Sequence, residues 1–168
     1  MFGRGEPSRG PSTGAFLLSV WLGVDDLVGH GLGYVAVRFG GASVRWAEDG
    51  AIAVYEDCGG PVGGFMRAIN GTPWRPVAMA IGRAILNTGR FPAHGQWGRW
   101  WYAHERAHVG QAKVLGPFYL PLYLLGLVPA ALLALGRRDF RLLHDAHLME
   151  LLASRAAEGK VPGGRQRG

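Results

Sequence analysis

The sequence predicts an α+β domain in which a small antiparallel sheet precedes a helical half. Residues from about 33 to 87 alternate apolar and polar positions between turn signals, as strands do. From about Gln96 the apolar period changes to steps of three and four, which indicates a helix. The segment from about Asp139 to Glu158 is rich in helix formers and has neither glycine nor proline.

Length and composition fit one globular domain. A chain of 168 residues is long enough to bury one hydrophobic core. We expect this domain at 15–158, between a disordered tail at 1–14 and a disordered basic tail at 159–168. Much of the net charge of +6 lies in these tails, and no basic stripe is interleaved with aromatic residues, so we expect no nucleic-acid partner. The single cysteine, Cys58, excludes an internal disulfide.

The N-terminal apolar run AFLLSVWLGV, residues 15–24, has the length of a signal-peptide core. Asp25 and Asp26 follow it directly, without a clear small-x-small cleavage site. We predict a structural helix or strand at this position. The expected location is cytoplasmic or membrane-associated, and secretion stays open.

The predicted sheet contains three segments. YVAVRF (34–39) alternates, and SVRWAEDGAIAVYED (43–57) reads as two strands joined through Asp49-Gly50, a strong hairpin signal. PVAMAIGRAILN (76–87) fits either a strand pair bent at Gly82 or a helix interrupted there, and we favour the strands.

The helix that begins near Gln96 has one face on which aromatic, histidine, glutamine and leucine side chains recur. We expect this helix to end at Gly116-Pro117. The positions on this face recur at steps of four, three, four, three and four: Trp97, Trp101, His104, His108, Gln111 and Leu115.

Residues 114–136 contain no charged side chain, which makes them a transmembrane candidate by length. Three prolines and three glycines interrupt the stretch. We therefore favour an apolar helical hairpin that turns near Gly126 to Pro129 and is either buried or in contact with a membrane surface. A membrane span is the alternative, and it would place the two halves of the metal site described next on opposite sides.

The motif HERAH, residues 104–108, has the HExxH spacing of zinc hydrolases. On a helix His104 and His108 share one face and can direct imidazole nitrogens at a common ion. Glu105 is the next residue round, where a carboxylate can take a proton from zinc-activated water. The motif therefore predicts a Zn²⁺ site with Glu105 as general base.

Glu150 is the expected third ligand, because a carboxylate amid Leu148, Met149, Leu151 and Leu152 is costly unless it is paired or bound to a metal. His144 and His147 precede it on the same segment and are alternatives as ligand, outer-shell group or transition-state donor. Gln111 and Tyr123 are further candidates for outer-shell or donor roles.

The order of an HExxH helix, an intervening segment and a helix with glutamate resembles the gluzincin branch of zinc metallopeptidases. Residues 76–157 are more closely similar to small bacterial HExxH proteins, on GRAILNTG, WYAHERAHVGQAKVLGPFYLPLYLLG and HDAHLMELLASRAA. The resemblance implies His104, His108 and Glu150 as ligands and Glu105 as base. Ser154 stands where the metallopeptidase pattern has an aspartate, so an outer-shell carboxylate is missing.

These observations predict a zinc-dependent hydrolase, specifically a minimal metallopeptidase whose substrate is a peptide or protein. Two alternatives stand beside it. One is a non-catalytic zinc-binding module that contacts a partner or a membrane surface through 114–136. The other is a small integral membrane protein in which HExxH is accidental.

Overall fold

The computed structural model describes residues 13–47, 51–70, 76–91, 96–139 and 146–161. Its fold is α+β, as predicted, with a small sheet followed by a helical half. In chain order the elements are α1 (Thr13–Gly40), β1 (Ser43–Ala47), β2 (Ile52–Glu56), α2 (Gly60–Asn70), β3 (Ala78–Ile81), β4 (Ala84–Asn87), α3 (Gln96–Leu115), a 3-10 helix (Gly116–Phe118), α4 (Tyr119–Arg137) and α5 (Leu148–Lys160).

The four strands form one sheet in the order β1-β2-β4-β3. β1 and β2 are the antiparallel pair predicted from Asp49-Gly50, although that turn lies outside the described residues. β3 and β4 form the predicted pair bent at Gly82, whose φ of 57° suits a glycine turn. The prediction of an entirely antiparallel sheet is wrong, because β2 and β4 run parallel. A parallel pair needs a crossover, and α2 lies in the connection between these strands.

The sheet is covered on both faces, so β2, one of its two central strands, is buried on both sides. Ala53 and Tyr55 belong to a core formed with α1 and α2, whereas Ile52 and Val54 pack with Val109 of α3. Successive residues of a strand point to opposite faces, which explains the division. This arrangement fixes α3, the helix with the HExxH motif, against the sheet.

Residues 33–40 are helical, so the strand predicted from YVAVRF is wrong. The physical reason is close packing by glycines: a Cβ on Gly33 would overlap the Tyr55 ring, and one on Gly29 would overlap the carbonyl oxygen of Ile81. α1 bends at Gly23, where φ is 38° and ψ is −100°. Beyond the bend Asp26 accepts hydrogen bonds from the backbone N–H (2.8 Å) and Nε (2.7 Å) of Arg83, which ties α1 to the β3–β4 turn.

The tails predicted at 1–14 and 159–168 lie largely outside the described residues, and α1 begins at Thr13. α2 was not predicted, since four glycines among residues 59–64 suggest a loop.

α4 is one continuous helix through Pro129, so the predicted hairpin within 114–136 is wrong. The chain reverses later, after Arg138, whose φ is 53°. It has returned by His147, whose Nε2 lies 2.9 Å from the backbone oxygen of Tyr123. The helix predicted from Asp139 is interrupted, because His147 is extended and caps a helix that begins at Leu148. The two halves of the site therefore meet without a hairpin inside α4.

Within the described residues, one helical segment is long and apolar enough to cross a membrane by length and composition. It runs from Gly98 to Arg137, and 17% of its most apolar stretch is buried.

Candidate metal centre

His104, His108 and Glu150 converge on one point between α3 and α5. The Nε2 atoms of the histidines are 3.2 Å apart, and Oε2 of Glu150 lies 3.1 Å from the first and 3.3 Å from the second. All three residues are buried, with exposed fractions of 4%, 4% and 6%. The sequence-predicted ligand set is thus brought together by the fold.

This triangle has the size of one face of a zinc coordination tetrahedron. Ligand atoms at about 2.0–2.1 Å from a tetrahedral ion lie about 3.3 Å from one another. Three converging acceptor atoms with so little water would repel one another unless a cation or protons lay between them. The cluster therefore has the geometry and the chemistry to hold a metal ion.

Local structure places each ligand. His104 and His108 are one turn apart on α3, so their rings lie on the same face, with centroids 4.8 Å apart. Glu150 lies in the first turn of α5. One turn later on α5, Ser154 contacts His104, the earlier of the two histidines on α3, so α5 runs antiparallel to α3. Buried alanines on both helices, Ala112 on α3 and Ala153 on α5, permit a close approach.

Gln111 fixes the tautomer of His108. Its Nε2 donates to the backbone oxygen of Met149 at 3.0 Å, which can only accept. Its Oε1 therefore faces Nδ1 of His108, also at 3.0 Å, and that nitrogen must carry the proton. The Nε2 atom of His108 is left with a lone pair directed at the cluster, as a metal ligand requires.

Other side chains hold the remaining ligand atoms. Tyr123 donates from its hydroxyl to Oε1 of Glu150 at 2.6 Å, which leaves Oε2 for the metal. Burial, followed by the charge of Glu150, raises the pKa of the Tyr123 phenol, so it stays a donor at neutral pH. Ser154 Oγ lies 3.4 Å from Nδ1 of His104, and the hydroxyl of Tyr119 lies 3.2 Å from Nδ1 of His108.

The electrostatic surroundings favour a cation. Burial alone would lower the pKa of His108, but the protonated ring can donate from Nε2 to Glu150, and this hydrogen bond together with the charges of Glu150 and Glu105 raises the pKa. Glu105 is itself 4% exposed. Two carboxylates beside buried imidazoles thus stabilise positive charge at the centre. The indole of Trp100 stacks on His104, with ring centroids 5.3 Å apart, and covers this side of the site.

The other predicted site residues divide into three groups. Gln111 and Tyr123 contact ligands, in the outer positions considered for them. His147 does not reach the cluster: its Nε2 faces the Tyr123 carbonyl, its ring lies against that of Tyr123, and Nδ1 has no partner among the described residues. His144 lies outside the described residues.

Sequence reasoning missed Tyr119, Trp100 and the contact made by Ser154. Trp100 precedes His104 by one helical turn, so an i, i+4 search around the motif would have found it. Tyr119 and Ser154 come from other elements, and no local pattern marks them. At Ser154, where the resemblance had implied that a carboxylate is absent, a hydroxyl lies near Nδ1 of His104.

No family model, curated protein or solved structure matches this chain.

Proposed function

We propose that the protein is a zinc-dependent hydrolase, and specifically a minimal metallopeptidase. The observation that carries the proposal is the 3.1–3.3 Å triangle of ligand atoms with Glu105 directly after the first histidine. An accidental HExxH would give no reason for a buried glutamate from another helix to meet both histidines. The similarity of the motif order to gluzincins supports the same conclusion.

Zinc is the metal that this ligand set suits best. Neutral imidazole is a borderline ligand that suits zinc, and two histidines with one glutamate leave the fourth tetrahedral position free for water or substrate in catalytic zinc sites. When bound, the ion would polarise a substrate carbonyl and lower the pKa of a water molecule.

The chain's own residues then supply proton transfer and orientation. Glu105 would take the proton of the attacking water and deliver it to the leaving amine. Tyr123 and Gln111 would keep Glu150 and His108 in register through the hydrogen bonds described above.

The second candidate is a non-catalytic zinc module. The low exposure of the cluster favours it, since structural zinc sites are closed whereas catalytic ones keep an open position. Both candidates require the metal, so the metal is tested first and turnover second.

The metal test measures zinc per chain by atomic absorption in wild type, His108→Ala, Glu150→Ala and the control Glu158→Gln. We expect about one zinc per chain in wild type and in the control, whose carboxylate is exposed on the same helix as Glu150. Zinc should be lost in His108→Ala and bound more weakly in Glu150→Ala. A folded wild-type protein that takes up no zinc would overturn both candidates.

The catalytic test uses Glu105→Gln, which keeps the shape of the side chain and removes the base. Zinc content should match wild type, while cleavage of a fluorogenic peptide library falls by about 100-fold or more. Cleavage that survives the substitution excludes Glu105 as the base. A library that wild type does not cleave, with zinc bound, favours the non-catalytic module.

A further inference from the structure

The two sides of the helix α4 differ in whether they are packed or exposed, although both are apolar. One side packs on the protein through Tyr119, Tyr123, Ala130 and Ala134. The opposite half of its circumference is exposed and wholly apolar, and we call it the outer face of α4: Pro121, Leu122, Leu124, Leu125, Val128, Pro129, Leu132, Leu133, Leu135 and Gly136. A surface helix of a water-soluble protein places charged and polar residues there instead.

Along the chain, basic residues flank the uncharged stretch, with the exposed Asp139 directly after the C-terminal ones, and no charged residue lies within the outer face. Lys113 precedes the uncharged stretch, and the exposed Arg137 and Arg138 follow it. The 19 residues of α4 span about 28 Å. A long apolar strip bounded by cations matches a lipid surface, whose acyl chains take the strip and whose anionic headgroups meet its ends.

Aromatic residues lie near the first turn of α4, where an interfacial helix is commonly anchored. Trp21 and Phe118 are 49% and 63% exposed, and the indole of Trp21 is hydrogen-bonded to the carbonyl oxygen of Lys113 at 3.1 Å. Amphipathic aromatic rings concentrate at the level of lipid headgroups.

We propose that the outer face of α4 lies in the surface of an anionic lipid bilayer and holds the protein there as a monotopic membrane protein. The proposal rests on exposure and charge alone, and it stands whether or not the metal centre is catalytic.

The return of the chain argues for lying in the surface over crossing the bilayer. α4 ends at Arg137, and His147 already contacts Tyr123 near the start of the same helix. The connection between them includes Asp139, Arg141 and Asp145. If α4 crossed the hydrocarbon, the chain would have to cross it a second time between Arg138 and His147, and a short connection whose sequence carries charges is strongly disfavoured there.

A second copy of the chain fits the outer face less well. Interfaces between proteins combine an apolar centre with a polar rim and about one hydrogen bond per 100–200 Å². The outer face offers no side-chain hydrogen-bonding group over its whole length. Acyl chains need none.

The experiment is flotation of the full chain with phosphatidylcholine vesicles that contain or lack phosphatidylglycerol. The test variant is Leu125→Asp/Leu132→Asp, at positions 66% and 67% exposed, where substitution leaves the packed side of α4 intact. The control is Phe65→Asp, an equally apolar position, 54% exposed, on α2. Thermal unfolding by circular dichroism, together with zinc content, establishes that each variant is folded.

We expect wild type and Phe65→Asp to float with anionic vesicles, and the double variant to bind about tenfold or more weakly. Replacing Arg137 by glutamine should weaken binding to anionic vesicles by about fivefold, with little effect on neutral ones. A double variant that floats like wild type overturns the proposal. The proposal is also overturned if wild type does not bind vesicles but forms a dimer, and the double variant is a monomer. If vesicle-bound wild type resists extraction by alkaline carbonate, α4 spans the bilayer and the proposal of surface binding is wrong.

Discussion

Gln111 shows how much the candidate metal centre depends on a residue that is not itself one of the three converging side chains. Its amide is held by the carbonyl of Met149, and it in turn determines which nitrogen of His108 is free to ligate. Without this amide either tautomer of the imidazole is accessible, and half of the orienting contacts at that nitrogen are lost. Partners of this kind affect metal affinity almost as strongly as ligands do.

Replacing Gln111 by alanine should therefore weaken zinc binding by about 10- to 100-fold while the fold persists. Competition with a fluorescent chelator measures the affinity. The matched control is Val114→Ala, three residues along the same helix and 78% exposed, which should bind zinc like wild type. Equal affinity in the two variants would show that Tyr119 alone orients His108.

Among the individual residues of the site, the sequence predicted those whose positions follow from local spacing. His104, Glu105 and His108 follow from one helical turn, and Glu150 follows from the cost of a carboxylate among leucines. Tyr119 and Ser154 reach the same histidines from α4 and α5, and their positions depend on how those helices pack. No periodicity within either segment carries that information.

At the scale of elements, glycines decide how α1 meets the sheet. Gly33 lies against the Tyr55 ring with no room for a methyl group, whereas a Cβ on the exposed Gly31 meets nothing within 4 Å in the described part of the chain. The two residues are on the same helix and differ only in the face they occupy. Alanine substitution at each position therefore compares a tightly packed site with an exposed one on the same helix.

Gly33→Ala should lower the free energy of unfolding by about 1–3 kcal/mol, because the added methyl group displaces the Tyr55 ring or the helix. Gly31→Ala should raise it by about 0.5–1 kcal/mol, since alanine loses less backbone entropy on folding. Urea unfolding followed by tryptophan fluorescence checks both. If Gly33→Ala is as stable as Gly31→Ala, α1 does not pack on Tyr55 as described.

The same glycines explain why elements were misassigned from the sequence. Alternation in YVAVRF imitates a strand, and the glycines around it suggest loops, yet they mark a helix packed unusually close to a sheet. α2 was not predicted because the glycines at its start likewise suggest a loop. By contrast, Gly82 lies at the chain reversal between the short strands β3 and β4, where the turn chemistry is decisive by itself. Pro129 suggested a break, but α4 continues through it.

At the scale of the whole molecule, Asp25 couples stability to pH. Its carboxylate is 1% exposed, and one oxygen has no partner among the described residues. Burial raises the pKa of Asp25, the backbone N–H of Leu120 lowers it, and the neighbouring charge of Asp26 raises it, with a net upward shift. The folded state thus binds this proton more tightly than the unfolded state. The associated stability is present at low pH and is lost as pH rises above the ordinary value of 3.8.

Asp25→Asn removes this titration and keeps an oxygen for the Leu120 N–H. The stability of wild type relative to the variant should therefore fall as pH increases from about 4 to 7. Urea unfolding at several pH values, with Glu158→Gln as the exposed-carboxylate control, measures the difference. A constant difference across this range would show that Asp25 keeps its ordinary pKa in the folded protein.

Because α3 and α5 both contribute to the candidate metal centre, an ion bound there would cross-link distant parts of the chain. His104 and Glu150 are 46 positions apart, so an ion shared by them closes the loop that contains all of α4. An ion that binds only the folded chain adds about 2.7 kcal/mol of stability at a hundredfold excess over its Kd. If the candidate centre binds zinc, removing the ion with a chelator should therefore lower the free energy of unfolding by an amount of this order.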